Sequence, residues 1–292
     1  MDVKARFRRI ARTAVFVSLM SAAASTSASV EEFKDPEFPP GYVQPKLGQM
    51  VRIAAGHYPV GDREGRGDTS ETWFGTVNLS AFWIDVYPVT NREYQEFVRK
   101  YRRSQPRFST RPELNRPLQP VVGVDWTDAD AYCRSERKRL PSEFEWEVAA
   151  RAGTRRVYPW GDEKPGEDGV WRANIGDGSL TGADARTYGE DGFHFPSPVG
   201  AFPLGINSWG LQDMAGNIWQ WTATPFDYYV YRRIEKEPES RVPQIPDNGF
   251  RTARGGSWTN GPWSVRSSGR RGLLLGERTV DLGFRCAKDD PQ

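Results

Sequence analysis

Gly210-Leu211-Gln212-Asp213-Met214-Ala215-Gly216-Asn217-Ile218-Trp219-Gln220-Trp221 is the stretch whose reading decides the fold. It holds two indoles, two glycines and four side chains that carry an amide or carboxylate oxygen, Gln212, Asp213, Asn217 and Gln220. Glycine lets backbone carbonyls turn inward, and Asp and Asn supply hard oxygen ligands, so these are the ingredients of a calcium loop. The tryptophans would wall such a loop with large buried area. A tight turn between two strands, anchored by the same aromatics, uses the same residues without metal. The rest of the chain has to weigh one against the other.

The 292 residues include 11 Trp, 11 Tyr and 15 Phe, enough for a sizeable core that leans on aromatics. With 29 Gly and 22 Pro, many turns and short elements are expected, not long helices or one large sheet. A formal net charge of +2 gives no global field toward nucleic acid, and no nucleic-acid partner is expected. The arginine excess near the C-terminus reads as a local, solvated face.

The N-terminus reads as a signal peptide over residues 1–28. Lys4, Arg6, Arg8, Arg9 and Arg12 form a positive region, Thr13 to Ala24 an apolar one, and Thr26-Ser27-Ala28 a small-residue cleavage site. The apolar run is too short to span a bilayer, so no membrane span should remain after cleavage. The expected location is periplasmic or secreted. Arg8-Arg9 raises a twin-arginine route that the neighbouring residues fit poorly. Residues 29–46, polar and proline-rich, read as an extended lead-in, and residues 47–290 as one domain.

The chain has two cysteines, Cys133 and Cys286. In an exported protein an even count favours a disulfide, the rival being two buried free thiols. Met50-Val51-Arg52-Ile53 alternates as a first strand, and Val77 to Val86 offers a second strand region. Gly61 to Ser70 reads as a loop. Three helix starts follow. Thr90-Asn91-Arg92-Glu93, Thr127-Asp128-Ala129-Asp130 and Ser142-Glu143-Phe144-Glu145 are each read as a capping box. After Arg151 the chain turns irregular.

Taken in order, several stretches resemble the formylglycine-generating enzyme, or sulfatase-modifying factor, family. They are Phe82-Trp83-Ile84-Asp85-Val86-Tyr87-Pro88-Val89-Thr90-Asn91, Val124-Asp125-Trp126-Thr127-Asp128-Ala129, Lys138-Arg139-Leu140-Pro141-Ser142-Glu143-Phe144-Glu145-Trp146-Glu147 and Tyr158-Pro159-Trp160-Gly161. The opening stretch, Arg254-Gly255-Gly256-Ser257-Trp258 and Gly283-Phe284-Arg285-Cys286 complete the set. The resemblance implies a single compact α+β domain, related to C-type lectins, with little regular secondary structure. It also implies a Cys133–Cys286 bridge.

The resemblance further implies two calcium sites. The first falls on Asn174, Ile175, Asp191 and Phe193, and the second on Asp213, Gly216, Ile218 and Gln220. Relatives usually carry a carboxylate where this chain has Gln220. An amide oxygen ligates without charge, so affinity there should be lower, with Asp213 as partial compensation.

At the catalytic segment the resemblance breaks. Aldehyde-generating relatives place two copper-binding cysteines after the Gly-Gly-Ser run, because soft thiolates select Cu(I). Here those positions are Asn260 and Val265, so no copper is expected. Iron-dependent relatives use three histidines, and this chain has only His57 and His194. Two expectations remain. The first is an exported maturation enzyme similar to the pyoverdine-maturation branch, acting oxidatively on a peptide-derived siderophore chromophore. Its catalytic polar groups would be Ser257, Asn260 and Arg266, with Trp219 and Trp258 against the substrate. The second is a non-catalytic, calcium-stiffened module for a protein, peptide or glycan partner, displaying Phe226-Asp227-Tyr228-Tyr229-Val230-Tyr231-Arg232-Arg233.

Overall fold

Among the described residues, two of the three α-helices start at the capping box expected for them. Helix α1 (Asn91–Tyr101) is capped by Thr90, and α3 (Glu143–Ala150) by Ser142. In each, the hydroxyl accepts from the backbone N–H three residues on, and the Glu there reaches back to the cap. Helix α2 (Trp126–Ser135) starts earlier than expected. Asp125 is its N-cap, accepting from Asp128 N at 2.8 Å, so Thr127 lies inside the first turn. A carboxylate at the cap satisfies an orphan donor and also sits favourably against the helix dipole.

The computed structural model describes residues 38, 39, 41–62, 70, 71, 74–176, 190–231, 234 and 244–291. The expected signal peptide, most of the Gly61–Ser70 loop, and Arg232 and Arg233 lie outside these residues. Nine short strands form three sheets among the described residues. Strands β1 (Met50–Ile53), β4 (Phe82–Asp85) and β9 (Ala287–Asp289) make one, and β2 (Gly56–Gly61) pairs with β3 (Phe74–Leu79). The region expected as one strand over Val77–Val86 is thus two, in different sheets.

The third sheet runs β7 (Arg270–Leu274), β6 (Phe250–Arg254), β5 (Trp219–Pro225), β8 (Leu282–Phe284), with β5 and β8 parallel. Strand alternation puts Trp219 and Trp221 in one apolar cluster with Leu282, Phe284 and Cys286. Gln220 points the other way, toward Trp146 on α3, whose Nε1 donates to its Oε1 at 3.0 Å. Both faces of β5 are therefore covered. No helix among the described residues is long and apolar enough to cross a membrane.

The C-terminal arginines do not form a solvated face. Arg254 and Arg285 are fully buried, and Arg251, Arg266 and Arg270 nearly so. Each has its own partners. Arg254 pairs with Glu147, which also takes Arg151 and the Tyr231 hydroxyl. Arg270 pairs with Glu143, and Arg266 with Asp62 and Glu71. Burial opposes the ionised form of Glu147, but Arg254 and Arg151 overcome it and hold the carboxyl below its usual range. At Glu143 and Glu71 burial wins, and both carboxyls are raised.

Cys133 on α2 is bonded to Cys286 between β8 and β9, with a Cα–Cα distance of 5.6 Å. The bridge closes a loop with a sequence separation of 153. Chain-entropy reasoning gives about 5 kcal/mol for so long a loop, and typical measured contributions are about 2–4 kcal/mol. Reduction is expected to lower the melting temperature by about 5–15 °C, read by differential scanning fluorimetry. An unchanged melt contradicts the bridge's role. Glu147→Gln, which leaves Arg254 buried without its counter-charge, is expected to cost about 3–5 kcal/mol in denaturant unfolding.

Candidate functional site

Three strand ends meet at one corner of the β7–β6–β5–β8 sheet. β6 is antiparallel to β5, so the residues after Arg254 lie beside the start of β5. β8 is parallel to β5, so the residues before Leu282 lie there too. Trp219, Ser257 and Asp281 come together as a result, with Trp219 N donating to Asp281 O at 2.8 Å. The turn that leaves β6 needs both glycines. Gly255 and Gly256 have φ of 100° and 68°, and a Cβ on Gly256 would sit 2.6 Å from the Val265 side chain.

Four oxygen-bearing side chains converge at this corner. Ser257 Oγ lies 2.9 Å from Thr259 Oγ1, Asn260 Oδ1 and Asp281 Oδ2, and Thr259 Oγ1 donates to Asp281 Oδ2 at 3.1 Å. A serine has a single proton for three acceptors. One arrangement satisfies all the groups: Asn260 is turned so that its NH2 donates to Ser257 Oγ, while both hydroxyls donate to the Asp281 carboxylate. Asp281 thereby polarises Ser257 and can take a proton through it. Ser257 is fully buried, and Thr259 and Asn260 lie half-buried above it, so a ligand meets those two first.

The other residues expected at the site divide. Trp258 is nearly buried, packed on Phe195 with ring centroids 5.6 Å apart. Trp219 is buried too, in the apolar cluster with Leu282 and Phe284, and its Nε1 is enclosed without a hydrogen-bond partner. Arg266 is not aimed at Ser257. Its guanidinium binds Asp62 and Glu71 and stacks 4.2 Å from the centroid of Trp263, so it is a structural tie. Asp281 and Thr259 were missed in the sequence. Nothing marks Asp281, 24 residues from Ser257, until the parallel pairing of β5 and β8 is known.

The four residues of the first expected calcium set are brought together. Asp191 accepts from Ile175 N at 2.7 Å and from Phe193 N at 2.9 Å. Asn174 Nδ2 donates to Phe195 O, while its Oδ1 is buried without a hydrogen-bond partner. An orphaned buried amide oxygen, on the residue next to the one whose N–H Asp191 binds, fits a hard cation. This set buttresses the corner just described, because Gly176 N donates to Asn260 O at 2.9 Å.

The second set does not fit. Asp213, with φ of 54°, sends its carboxylate to Gly200 N at 2.8 Å, and burial lifts its pKa to about 6. The Gln220 oxygen is taken by Trp146 and by Arg285, and its NH2 donates to Asp213 O at 2.8 Å. Gly216 packs against Asn174, where a Cβ would lie 2.3 Å from the carbonyl oxygen, and its own carbonyl accepts from Ile218 N. Asn217 is spent on Ser197 through both ends of its amide.

Residues 35–290 match the family model of the sulfatase-modifying factor enzyme 1-like domain. The match begins twelve residues before the domain start expected at 47. An inactive C-alpha-formylglycine-generating enzyme 2 of Bos taurus is 32% identical over 82% of this chain and 87% of its own. A formylglycine-generating enzyme of Streptomyces coelicolor is 33% identical over 82% and 89%. Among solved structures, PvdO from Pseudomonas aeruginosa superposes with a TM-score of 0.65 at 27% identity, covering 84% of this chain and 99% of that one. Treponema denticola variable protein 1 shares the fold, with a TM-score of 0.60 at 21% identity over 85% of this chain and 99% of its own. With few helices, mixed short sheets and a match over nearly its whole described length, the chain belongs to the sulfatase-modifying factor, or formylglycine-generating enzyme-like, family.

Proposed function

We propose that this protein is an exported maturation enzyme of the oxidoreductase type, acting on a peptide-derived substrate such as a pyoverdine-type siderophore chromophore. The observation that carries it is the Ser257–Thr259–Asn260–Asp281 oxygen cluster, which stands where copper-using relatives place their first thiol. Formylglycine generation by the thiolate-copper route has no donors here. Both cysteines of the chain are joined in the disulfide, and Val265, at the second thiol position, is buried among Tyr158, Ala173, Ile175 and Ala215. Likeness to PvdO from Pseudomonas aeruginosa, together with the resemblance to the pyoverdine-maturation branch, supports the substrate class. The charged-then-apolar run over residues 1–28 supports export to the periplasm or beyond.

In this reading the substrate lies over Asn260 and Thr259, beside Trp258. Oxidation removes two electrons and two protons. Asp281 takes one proton through Ser257 and passes it to the reduced oxygen, while dioxygen accepts the electron pair and, with both protons, leaves as hydrogen peroxide. Calcium at Asn174, Ile175, Asp191 and Phe193 would hold the 174–176 segment against Asn260, a structural role.

A second reading, a non-catalytic module for a protein, peptide or glycan partner, is favoured by Tyr228 and Tyr229, which are 39% and 58% exposed. Neighbouring Val230 and Tyr231 are buried, so the tyrosines form a short display turn. Stoichiometric capture of such a partner without chemical change supports this reading.

Oxygen uptake and absorbance change on a peptide-derived chromophore separate the two. Ser257→Ala, Asn260→Ala and Asp281→Asn are each expected to lower kcat/KM by about 100-fold or more while the melting temperature stays within a few degrees. Full activity in all three contradicts the assignment. Chelation is expected to lower the melting temperature by about 5–10 °C, as for a ligand at roughly a hundred times its Kd. Asp191→Ala should abolish that difference, and a melt indifferent to chelator removes calcium from the account.

A further inference from the structure

Relatives are expected to bind a second cation in the loop that carries Asp213, Gly216, Ile218 and the residue at 220. We infer that in this chain that loop takes no divalent ion, and that a side-chain tie from Gln220, fixed by Arg285, closes it instead. Two N–H groups converge on Gln220 Oε1, Arg285 Nε at 2.6 Å and Trp146 Nε1 at 3.0 Å. An amide oxygen offers two lone pairs, and both are used.

The other end of the amide is a donor. Gln220 Nε2 points into the loop and donates to Asp213 O at 2.8 Å. Turning the amide over would present its oxygen to a cation, but it would set the NH2 against the Arg285 and Trp146 donors. That leaves two buried N–H groups unpaired, at a cost of about 1–3 kcal/mol each. A carboxylate has no such conflict, because one oxygen can serve Arg285 and Trp146 while the other faces the loop. The substitution to Gln therefore changes the sign of what the loop sees, from an oxygen to an N–H.

Arg285 makes the arrangement rigid. Its five N–H groups meet five acceptors: Gln220 Oε1 from Nε, Asp85 O and Val86 O from Nη1, and Gln212 O and Asp213 O from Nη2, the last four at 2.8–3.0 Å. Asp213 O thus receives both Arg285 and Gln220 and has no lone pair left. The Asp213 side chain is engaged by Gly200 N on another segment. A buried guanidinium already supplies positive charge at the place where an ion would bring more.

The test counts calcium on the full chain by native mass spectrometry and by isothermal titration with calcium chloride. Gln220→Glu is expected to bind one more calcium ion than the native chain, and chelation should lower its melting temperature by more. The count is read as a difference, so it stands whether or not the Asn174–Phe193 set is filled. Equal counts in the two proteins overturn the inference. Should that variant fail to fold, Asp213→Asn reads the same point: an unchanged calcium count is expected, and loss of one ion overturns it.

Discussion

A guanidinium with every N–H used holds the centre of this molecule. Arg285 lies between β8 and β9 and gathers the end of β4, the 212–213 turn and Gln220 on β5 onto one planar group. Burial depresses its pKa to about 10, with Asp213 and Asp85 acting the other way, so it keeps its charge at neutral pH. The next residue, Cys286, is bonded to α2, and its N–H is accepted by Asp85, which also pairs with Lys138. One short run thus joins two sheets, a helix and the aromatic loop. A chain with such short strands needs that kind of cross-tie, because the ladders alone hold little.

The same economy runs through the domain. Buried ion pairs are weak evidence of net stability, since desolvation offsets their attraction, but they set geometry sharply. Glu147 shows this. Placed on α3, it collects Arg151, Arg254, Tyr231 and Gly61 N, and so registers α3 against β2 and β6. The Ser257 corner inherits its position from these ties. β6 is fixed by Arg254 behind it, and the turn after it is fixed by the paired glycines.

Much of the fold was legible in the sequence. Capping boxes at Thr90 and Ser142 are local chemistry, so those helices could be read directly. Asp125 won the cap of α2 over Thr127 because its carboxylate, two residues earlier, accepts from Asp128 N and so starts the helix sooner. The strand region over Val77–Val86 split because pairing depends on partners far away, β2 for one half and β1 and β9 for the other. The arginines were misread as solvated for the same reason. Glu71 and Asp62 lie about two hundred positions from Arg266, and no local pattern announces them.

At the site, residue types were legible and atom roles were not. Ser257 and Asn260 were singled out, but Asp281 enters only through sheet topology. Gln220 was read as an oxygen donor, yet its oxygen is committed and its nitrogen faces the loop. The most direct test of this account is hydrogen exchange with and without chelator. The account predicts that amides of 212–216 and 218–221 keep their protection when calcium is removed, while those of 174–176 and 191–195, and Asn217 N–H bonded to Asn174 O, lose it. Faster exchange at 212–216 and 218–221 on chelation would contradict it.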